Sequence, residues 1–453
     1  MTTAGLGAIG YDSEVVDLCR ALIRLDTTTP PGGETAAAML LRDFLEPTGV
    51  ECEIVARDPQ RANLVARLPG SGTGPSMALV GHTDVVPCDA LDWTHPPFAA
   101  VVDDDGYLYG RGAVDMKNEV AARAVALARL ARSGFRPSGD LWFLAVADEE
   151  DGTADVGMRW LLEQRPDIRP DYALNEGEGV RLELADGRVV VPVAVGDRGT
   201  FPVRVVALGE AGHGSMPSQG DNAVPRLAEI LRRVGTGMPS VQSNEYVDRM
   251  LRVLVGDFDG DYAGAVAAAA GLHPALTHLV PALTGTTMAP TMLRGSSKRN
   301  VMPARASVEL DCRILPGTTE AEVEALVRQV IGSDLRYELE RPEPLIAGSA
   351  SPAAGPLYEI CQEFLDETDP GAVLLPTMDT GFTDSVYLRA SVGTVAYGFS
   401  PFRTTPAEVV QAGYHNRDER VHVDDLALSV QFHEFAVRRL LGPQAEVGAG
   451  GDS

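Results

Sequence analysis

Six short motifs that contain acidic residues or histidine follow one another along this chain of 453 residues. They are His82–Asp84, Gly110–Asp115, Asp148–Glu150, Asn175–Gly177, Gly212–Ser215 and Tyr414–Asn416. Most of them come directly after an apolar run that is typical of a buried strand. Histidine and carboxylate side chains are the ligands of hydrolytic zinc sites, where one further carboxylate can act as a base. The motifs together therefore indicate a hydrolytic centre with two metal ions.

The first motif follows the apolar run Met77–Gly81, which predicts a buried strand. In an open α/β sheet, functional sites form at the carboxyl ends of such strands. Residues two apart in an extended segment point the same way, so Asp84 can hold one ring nitrogen of His82 while the other nitrogen binds metal. A single His-x-Asp pair is nevertheless more often structural than functional.

Asp115 stands before a helical pattern that runs from Met116 to Leu130. Such an aspartate can be the N-cap of the helix, or it can be a carboxylate that bridges two metal ions. The approach through Gly110 and Gly112 lets the backbone turn sharply before a fixed carboxylate, which favours the bridge. The local sequence alone leaves both interpretations open.

A run of four acids, Asp148 to Asp151, ends the apolar segment Leu141–Ala147. Adjacent glutamates point in different directions, so one of Glu149 and Glu150 can bind metal while the other faces the attacking water. The spacing does not say which glutamate has which role. Glu176 ends a fourth predicted strand and His415 lies far down the chain, and neither is informative by itself.

In this order the motifs resemble those of the M20 metallopeptidase family, which includes aminoacylase-1, carboxypeptidase G2, carboxypeptidase S, succinyl-diaminopimelate desuccinylase and acetylornithine deacetylase. The resemblance extends from about Val15 to about Leu441. Further motifs that carry it are Ala211–Pro217, Asn300–Ala306, Asp311–Gly317, Gly381–Asp384 and Tyr397–Gly398. The long separation of His213 from Arg313 resembles the carboxypeptidase S-like branch more than the desuccinylases.

The resemblance implies a role for each candidate residue. The implied ligands are His82 and Glu176 for one zinc ion, Glu150 and His415 for the other, and Asp115 as the bridge. The implied catalytic residues are Glu149 as general base, His213 as donor to the tetrahedral oxyanion, and Asp84 as the support of His82. The implied substrate contacts are Arg313, which would hold a carboxylate, with Asn300 and Gly398 nearby.

The expected function is that of a dizinc-dependent amide-bond hydrolase, which cleaves N-acyl amino acids or short peptides that bear a free α-carboxylate. Its cofactors would be two divalent ions, zinc in the first place, with cobalt or manganese as substitutes. One alternative is a narrow biosynthetic deacylase of the acetylornithine or succinyl-diaminopimelate type. The other is a non-catalytic, metal-bound binding protein, which would have no need of Glu149.

The strand–helix alternation up to Glu176 predicts an α/β catalytic domain with a doubly wound, mostly parallel sheet. Alternating segments at Thr200–Leu208 and Ala306–Ile314, each followed by a helical pattern, predict a separate α+β lid of the βαββαβ type. We therefore expect a catalytic domain at 1–196 and 345–453, with a lid or dimerisation domain inserted at 197–344. A homodimer is left open.

Composition excludes several classes of partner. The net charge of −26 argues against nucleic-acid binding, which requires a basic surface. No apolar stretch is long enough to span a membrane. Residues Met1–Gly10 lack the basic and apolar regions of a secretory signal, and the five scattered cysteines fit a reducing compartment. We therefore expect a cytoplasmic protein whose partner is a small-molecule N-acyl amino acid or dipeptide.

Overall fold

The computed structural model describes residues 12–236 and 241–442. The segment Met1–Gly10, on which the expected absence of a secretory signal rests, lies outside the described residues. In chain order the α-helices are α1 (Ser13–Ile23), α2 (Thr35–Leu45), α3 (Lys117–Arg132), α4 (Met158–Gln164), α5 (Ala223–Thr236), α6 (Glu245–Val255), α7 (Tyr262–Ala270), α8 (Pro274–Leu283), α9 (Glu320–Ile331), α10 (Pro356–Thr368), α11 (Ser385–Val392), α12 (Ala407–Gly413) and α13 (Val423–Leu441).

The strands, also in chain order, complete the secondary structure. They are β1 (Glu51–Asp58), β2 (Arg61–Leu68), β3 (Met77–His82), β4 (Val101–Val102), β5 (Tyr107–Tyr109), β6 (Leu141–Val146), β7 (Tyr172–Val180), β8 (Leu182–Glu183), β9 (Val189–Asp197), β10 (Gly199–Thr200), β11 (Val203–Leu208), β12 (Gly212–His213), β13 (Thr287–Arg294), β14 (Val301–Met302), β15 (Arg305–Ile314), β16 (Tyr337–Glu340), β17 (Ser349–Ala350), β18 (Val373–Asp379), β19 (Val395–Phe402) and β20 (Arg420–His422). None of the helices in the described part of the chain has the length and hydropathy needed to cross a membrane.

The described chain divides into two compact units. The first consists of the residues up to Val195, Ser351–Pro376 and the residues from Thr383 onwards, and the second of Gly196–Ala350 and Thr377–Phe382. The insertion predicted at 197–344 lies within the second unit. That unit also takes in Thr377–Phe382, a segment that the sequence had assigned to the catalytic part. One contact that joins this segment to the rest of the second unit is the hydrogen bond from Arg198 N–H to the Asp379 carbonyl, at 3.2 Å.

The first unit is built on a sheet with the strand order β1-β2-β6-β3-β7-β19-β9. The pairs β3–β6, β3–β7 and β7–β19 are parallel, whereas β1–β2, β2–β6 and β9–β19 are antiparallel. The predicted α/β fold with a largely parallel central sheet is therefore confirmed, with the parallel pairing concentrated in four central strands. All residues of β3 and β6 are buried, which is what their uninterrupted apolar sequences predict.

Helices cover both faces of this sheet. On one face, Ala78 and Val80 of β3 pack in a hydrophobic cluster with Met158 of α4 and Leu388 of α11. On the other face α3 approaches so closely that a Cβ atom at Gly81 would lie 2.8 Å from a methyl group of Val120. Glycine at this position therefore allows the helix that follows Asp115 to pack directly against the strand that carries His82.

The second unit has its own antiparallel sheet, with the order β10-β15-β11-β16 and with β13 paired to β15. Along β15 every second residue is buried, and these residues form a hydrophobic core with α5 and α9. In chain order the elements are β11, α5, β13, β15, α9 and β16, and α6, α7 and α8 lie between α5 and β13. The predicted strand Thr200–Leu208 is interrupted after Thr200, where Pro202 has no N–H to donate to a sheet ladder.

Candidate metal centre

The carboxyl ends of the parallel strands bring the first ligand candidates together. His82 is the last residue of β3, and its pairing with β6 ends opposite Val146, two residues before the acidic run begins at Asp148. Glu176 was predicted to end its strand, but β7 continues to Val180. The pairing of β7 with β3 stops at Leu174 instead, so Glu176 lies where β7 separates from β3. Its Oε2 atom is 3.2 Å from Nε2 of His82.

Asp115 lies between two histidines. Its Oδ1 atom is 3.0 Å from Nε2 of His82, and its Oδ2 atom is 3.3 Å from Nε2 of His415. The N-cap of α3 is Met116, not Asp115, so the capping interpretation of this aspartate is wrong. The two oxygens of one carboxylate that face two different imidazoles form the arrangement required of a bridging ligand.

The remaining acids surround this bridge. Oε2 of Glu150 is 3.1 Å from Nε2 of His415. His82, Glu149 and Glu176 can each direct one ligand atom into a space less than 4.8 Å across, and so can His82, Asp115 and Glu150. Oε1 of Glu150 is buried, and no residue in the described part of the chain offers it a hydrogen bond. Nitrogen and carboxylate oxygen donors in this number, with a buried oxygen still to be satisfied, fit divalent ions such as zinc.

The pKa shifts of these groups reflect the concentration of negative charge. Burial lowers the pKa of His82, but Glu176 and Asp115 more than offset this and hold it well above its ordinary value. The pKa of His415 is raised to about 10 by hydrogen bonds to Asp115 and Glu150. Burial alone would raise the pKa of Asp115, yet the hydrogen bonds from His415 and His82 hold it below its usual range. The site is therefore strongly attractive to cations.

Glu149 lies in an environment that favours the protonated form of its carboxyl group. Desolvation and the negative charge of Glu176 raise the pKa of its carboxyl well above the ordinary value. A carboxylate whose pKa is raised takes up a proton more readily, which is the property that a general base needs near neutral pH. The geometry also lets Glu149 direct an oxygen to the space shared with His82 and Glu176. Measuring the metal content of Glu149 and Glu150 variants would distinguish the general base from the metal ligand.

Asp84 does not support His82 in the predicted way. Nδ1 of His82 is 2.9 Å from the backbone carbonyl oxygen of Asp84, whereas the nearest carboxylate oxygen is 3.7 Å away. The Asp84 carboxylate instead accepts hydrogen bonds from the backbone N–H groups of Glu149 and Glu150, at 3.3 and 3.1 Å. The Asp84 carboxylate therefore holds the acidic loop in place, and the backbone carbonyl of Asp84 orients the imidazole of His82.

Several buried polar residues near these loops were not identified from the sequence. Arg123, in the middle of α3, donates to the backbone carbonyls of Asn175, at 2.9 Å, and of Val80. Arg61 forms ion pairs with Glu34, at 2.6 Å, and with Asp148, at 3.2 Å. The signal that could have revealed Arg123 is its place in an otherwise Ala-rich helix between buried strands, where a charged residue needs specific partners.

Asp384 is a further buried acid, which the sequence marked only as the last residue of a family motif. Burial and the negative charge of Glu176 raise its pKa well above the ordinary value. Its Oδ2 atom is buried and has no hydrogen-bond partner within the described ranges.

Gly398 lies on β19 beside Glu176, and a Cβ atom there would come within 2.0 Å of the Glu176 carbonyl oxygen. Only glycine permits this approach.

The other predicted residues belong to the second unit. His213 lies on the two-stranded ribbon of β12 and β14, and Asn300 comes directly before β14, where its carbonyl accepts from Gly214 N–H at 2.8 Å. His213 is exposed, and its Nδ1 accepts from Ser215 N–H at 3.2 Å. Arg313 lies on the separate sheet, in β15, so the structure does not place it beside His213 and Asn300 at the ribbon.

The guanidinium of Arg313 is paired with an acid of its own strand. Its Nε atom is 2.9 Å from Oδ1 of Asp311, and its Nη2 atom is 3.2 Å from Oδ2. Both side chains point away from the hydrophobic core, because buried and exposed residues alternate along β15. This pair leaves Nη1 without a hydrogen-bond partner within residues 12–236 and 241–442.

The fold and this concentration of ligands define a metal-dependent hydrolase of the α/β class. A family model supplies the particular group: the model of peptidase family M20/M25/M40 matches residues 78–439. The chain therefore belongs to this family, and it is a hydrolase that acts on amide bonds. The placement nearest to the carboxypeptidase S-like branch stays a prediction.

Curated relatives cover nearly the whole chain. Human aminoacylase-1 is 28% identical over 422 residues, which is 90% of each chain. The succinyl-diaminopimelate desuccinylase of Rhodospirillum centenum is 30% identical over 427 residues, 91% of this chain and 93% of the relative. The family and the reaction class thus agree with the prediction from the motifs.

Solved structures show the same fold. The M20 family metallo-carboxypeptidase Sso-CP2 from Sulfolobus solfataricus has a TM-score of 0.68 at 17% identity, over 94% of this chain and 99% of that chain. A dinuclear metal binding peptidase of the M20 family from Bacillus subtilis has a TM-score of 0.60 at 15% identity, over 94% and 98%. At these identities the likeness concerns the fold alone.

Proposed function

We propose that this protein is a dizinc-dependent hydrolase that cleaves N-acyl amino acids or short peptides with a free α-carboxylate. The observation that carries the proposal is the position of Asp115, whose two oxygens face His82 and His415 at 3.0 and 3.3 Å. A carboxylate that faces two histidines in this way can bridge two ions, which supports a two-ion site. The similarity to human aminoacylase-1 supports the acyl amino acid as substrate.

Each side of the bridge would hold one ion. His82 and Glu176 would bind the first, Glu150 and His415 the second, and Asp115 both. When bound, the ions would supply Lewis acidity to the scissile carbonyl and to the attacking water.

Proton transfer would be the task of Glu149. It would take a proton from the attacking water and deliver it to the leaving nitrogen. From the family resemblance, His213 would donate a hydrogen bond to the oxyanion, and Asn300 and Gly398 would contact the substrate. The cytoplasmic location and the choice between monomer and homodimer stay predictions.

A substrate screen tests the proposal. Protein loaded with zinc or cobalt should hydrolyse N-acetyl amino acids or dipeptides and should leave the matching N-acyl amines, which lack the carboxylate, intact. Hydrolysis can be followed by the release of the free amine. Absence of turnover on every carboxylate-bearing amide, by protein shown to hold two ions, would contradict the proposal.

A narrow deacylase is the second candidate, and the 30% identity to the Rhodospirillum centenum desuccinylase favours it. The two functions differ in the acyl group, since a succinyl group carries a second carboxylate. A kcat/KM for N-succinyl-diaminopimelate that exceeds the values for all N-acetyl amino acids and dipeptides would select the desuccinylase.

Arg313 is expected to make the free α-carboxylate necessary. A guanidinium binds a carboxylate with two parallel hydrogen bonds, and the edge that includes Nη1 remains available beside the Asp311 pair. Amidation of the substrate carboxylate should therefore cost about 2–5 kcal/mol in transition-state binding, the scale for a broken buried charged pair. Arg313→Lys should be nearly as damaging as Arg313→Ala, because an ammonium group cannot reproduce the fork.

The matched control is Arg204→Lys. Arg204 lies on the neighbouring strand β11 and pairs with Glu309 at 2.7 Å, in a similar surface ion pair. Its replacement should leave kcat/KM unchanged within about twofold, since Arg204 is not one of the residues proposed to contact the substrate. Equal turnover of a free acid and its carboxamide by the wild-type protein would remove Arg313 from this role and point to a broader amidase.

A further inference from the structure

We infer that Glu419 is a positioning residue of the metal centre, which holds the segments of Asp115 and His415 in place with a single buried carboxylate. The inference rests on the proposed function, because it concerns the same pair of ion sites. Glu419 is completely buried, and it lies four positions after His415 in the chain. No motif in the sequence pointed to it.

Both oxygens of Glu419 accept hydrogen bonds from the loop that carries Asp115. Oε1 accepts from the backbone N–H groups of Val114, at 2.7 Å, and of Asp115, at 2.9 Å. Oε2 accepts from the backbone N–H of Gly112, at 3.1 Å, and from Nη1 of Arg111, at 2.6 Å. The carboxylate thus binds the backbone of the bridging residue itself.

The backbone of Glu419 is attached to the same loop. Its carbonyl oxygen accepts from Gly110 N–H at 3.0 Å. The next residue begins β20, which pairs with β5 in the register Arg420 opposite Tyr109, directly before the loop. Glu419 and the strand that follows it are therefore fixed to the residues that lead into the Asp115 loop.

This attachment determines the geometry between the two ligands. His415 has a left-handed backbone conformation, with φ of 54°, and its side chain is 57% exposed. Little packing therefore orients the imidazole. Its distance of 3.3 Å from Asp115 depends on the path of the backbone, which Glu419 ties to the Asp115 loop.

The number of N–H groups that donate to the side chain of Glu419 requires a carboxylate at this position. Four N–H groups converge on two oxygens, and each oxygen accepts two hydrogen bonds. The isosteric amide of Glu419→Gln has one acceptor oxygen, and its NH₂ group would face donors. Two of the four buried N–H groups would lose their partner, so the loop must shift.

The test compares the metal affinity of two variants with that of the wild-type full-length protein. Glu419→Gln should weaken zinc binding at the weaker of the two sites by about 10- to 100-fold, the range for groups that orient metal ligands. Competition with a chromogenic chelator gives the affinity without reference to activity. kcat should recover as zinc is raised, whereas KM at saturating zinc should stay near the wild-type value.

Asp425→Asn is the matched control. Asp425 is also a buried carboxylate, and it accepts hydrogen bonds from the backbone N–H groups of Arg403, Thr404 and Thr405, at 2.8, 2.9 and 2.6 Å. None of these residues is a proposed ligand or stands next to one. The control should lose thermal stability like Glu419→Gln but should keep the wild-type affinity for zinc.

The outcomes separate the inference from the proposed function. Equal zinc affinity of folded Glu419→Gln and Asp425→Asn overturns the positioning role. If Glu419→Gln does not fold, Arg111→Gln takes its place, because it keeps the three backbone N–H groups that donate to the Glu419 carboxylate. The expected loss of zinc affinity is then smaller. Unchanged zinc affinity of Arg111→Gln overturns the role. Wild-type protein that binds no divalent ion would contradict the proposed function itself.

Discussion

Removal of bound ions with a chelator should abolish amide hydrolysis, and addition of zinc, cobalt or manganese should restore it. The expectation follows from two histidines and four carboxylates that lie in contact, in two groups of possible ligands that share His82 and in the pairs that His415 forms with Asp115 and Glu150. When bound, the ions would be the Lewis acids that polarise the scissile carbonyl. Elemental analysis of the active protein should find up to two ions per chain.

The same ions should stabilise the folded chain. Carboxylates placed this closely repel one another, and cations that bind only the folded state stabilise it by about 2.7 kcal/mol at a concentration one hundred times the Kd. The melting temperature should therefore rise with added zinc and fall after chelation. Full turnover by protein that elemental analysis shows to be free of metal would refute the prediction.

Glu149→Gln should retain both ions but lose turnover by roughly 10²–10⁴, the usual effect of removing a general base. The glutamine keeps the size of the side chain and cannot take up the proton of the attacking water. The raised pKa of Glu149, caused by desolvation and by Glu176, agrees with a residue that exchanges protons. Turnover should be measured at saturating substrate together with the metal content of each preparation.

Glu150→Ala is the paired variant. Its Oε2 atom lies 3.1 Å from His415, so its removal should release one ion rather than merely slow the reaction. Metal retained in Glu150→Ala and lost in Glu149→Gln would mean that the two roles are interchanged. The experiment is needed because Glu149 also reaches the space shared by His82 and Glu176.

Local features of the structure were predictable because they depend on neighbouring residues. The apolar runs Met77–Gly81 and Leu141–Ala147 correspond closely to β3 and β6, since a short, fully apolar segment favours a buried central strand. The helix expected from Met116 to Leu130 corresponds to α3, because the segment is rich in alanine, leucine and arginine, which favour the helix.

Predictions that required contacts between side chains were less secure. The period of an extended strand placed Asp84 on the same side as His82, but the chain leaves β3 after His82. The Asp84 carboxylate therefore turns to the backbone of Glu149 and Glu150. Glu176 was expected at the end of its strand because the apolar run ends there, whereas hydrogen bonds to β19 extend β7 beyond it.

The sequence by itself determined the type of chemistry, because the order and identity of the histidine and acidic motifs are written in the chain. Only the tertiary structure decided that the two oxygens of Asp115 face His82 and His415, and that Glu419 binds the loop that carries Asp115. The contact between Asp115 and Glu419 joins residues 304 positions apart, and that between Asp115 and His82 joins residues 33 positions apart. They depend on strand register and on backbone turns, which no local pattern of residues specifies.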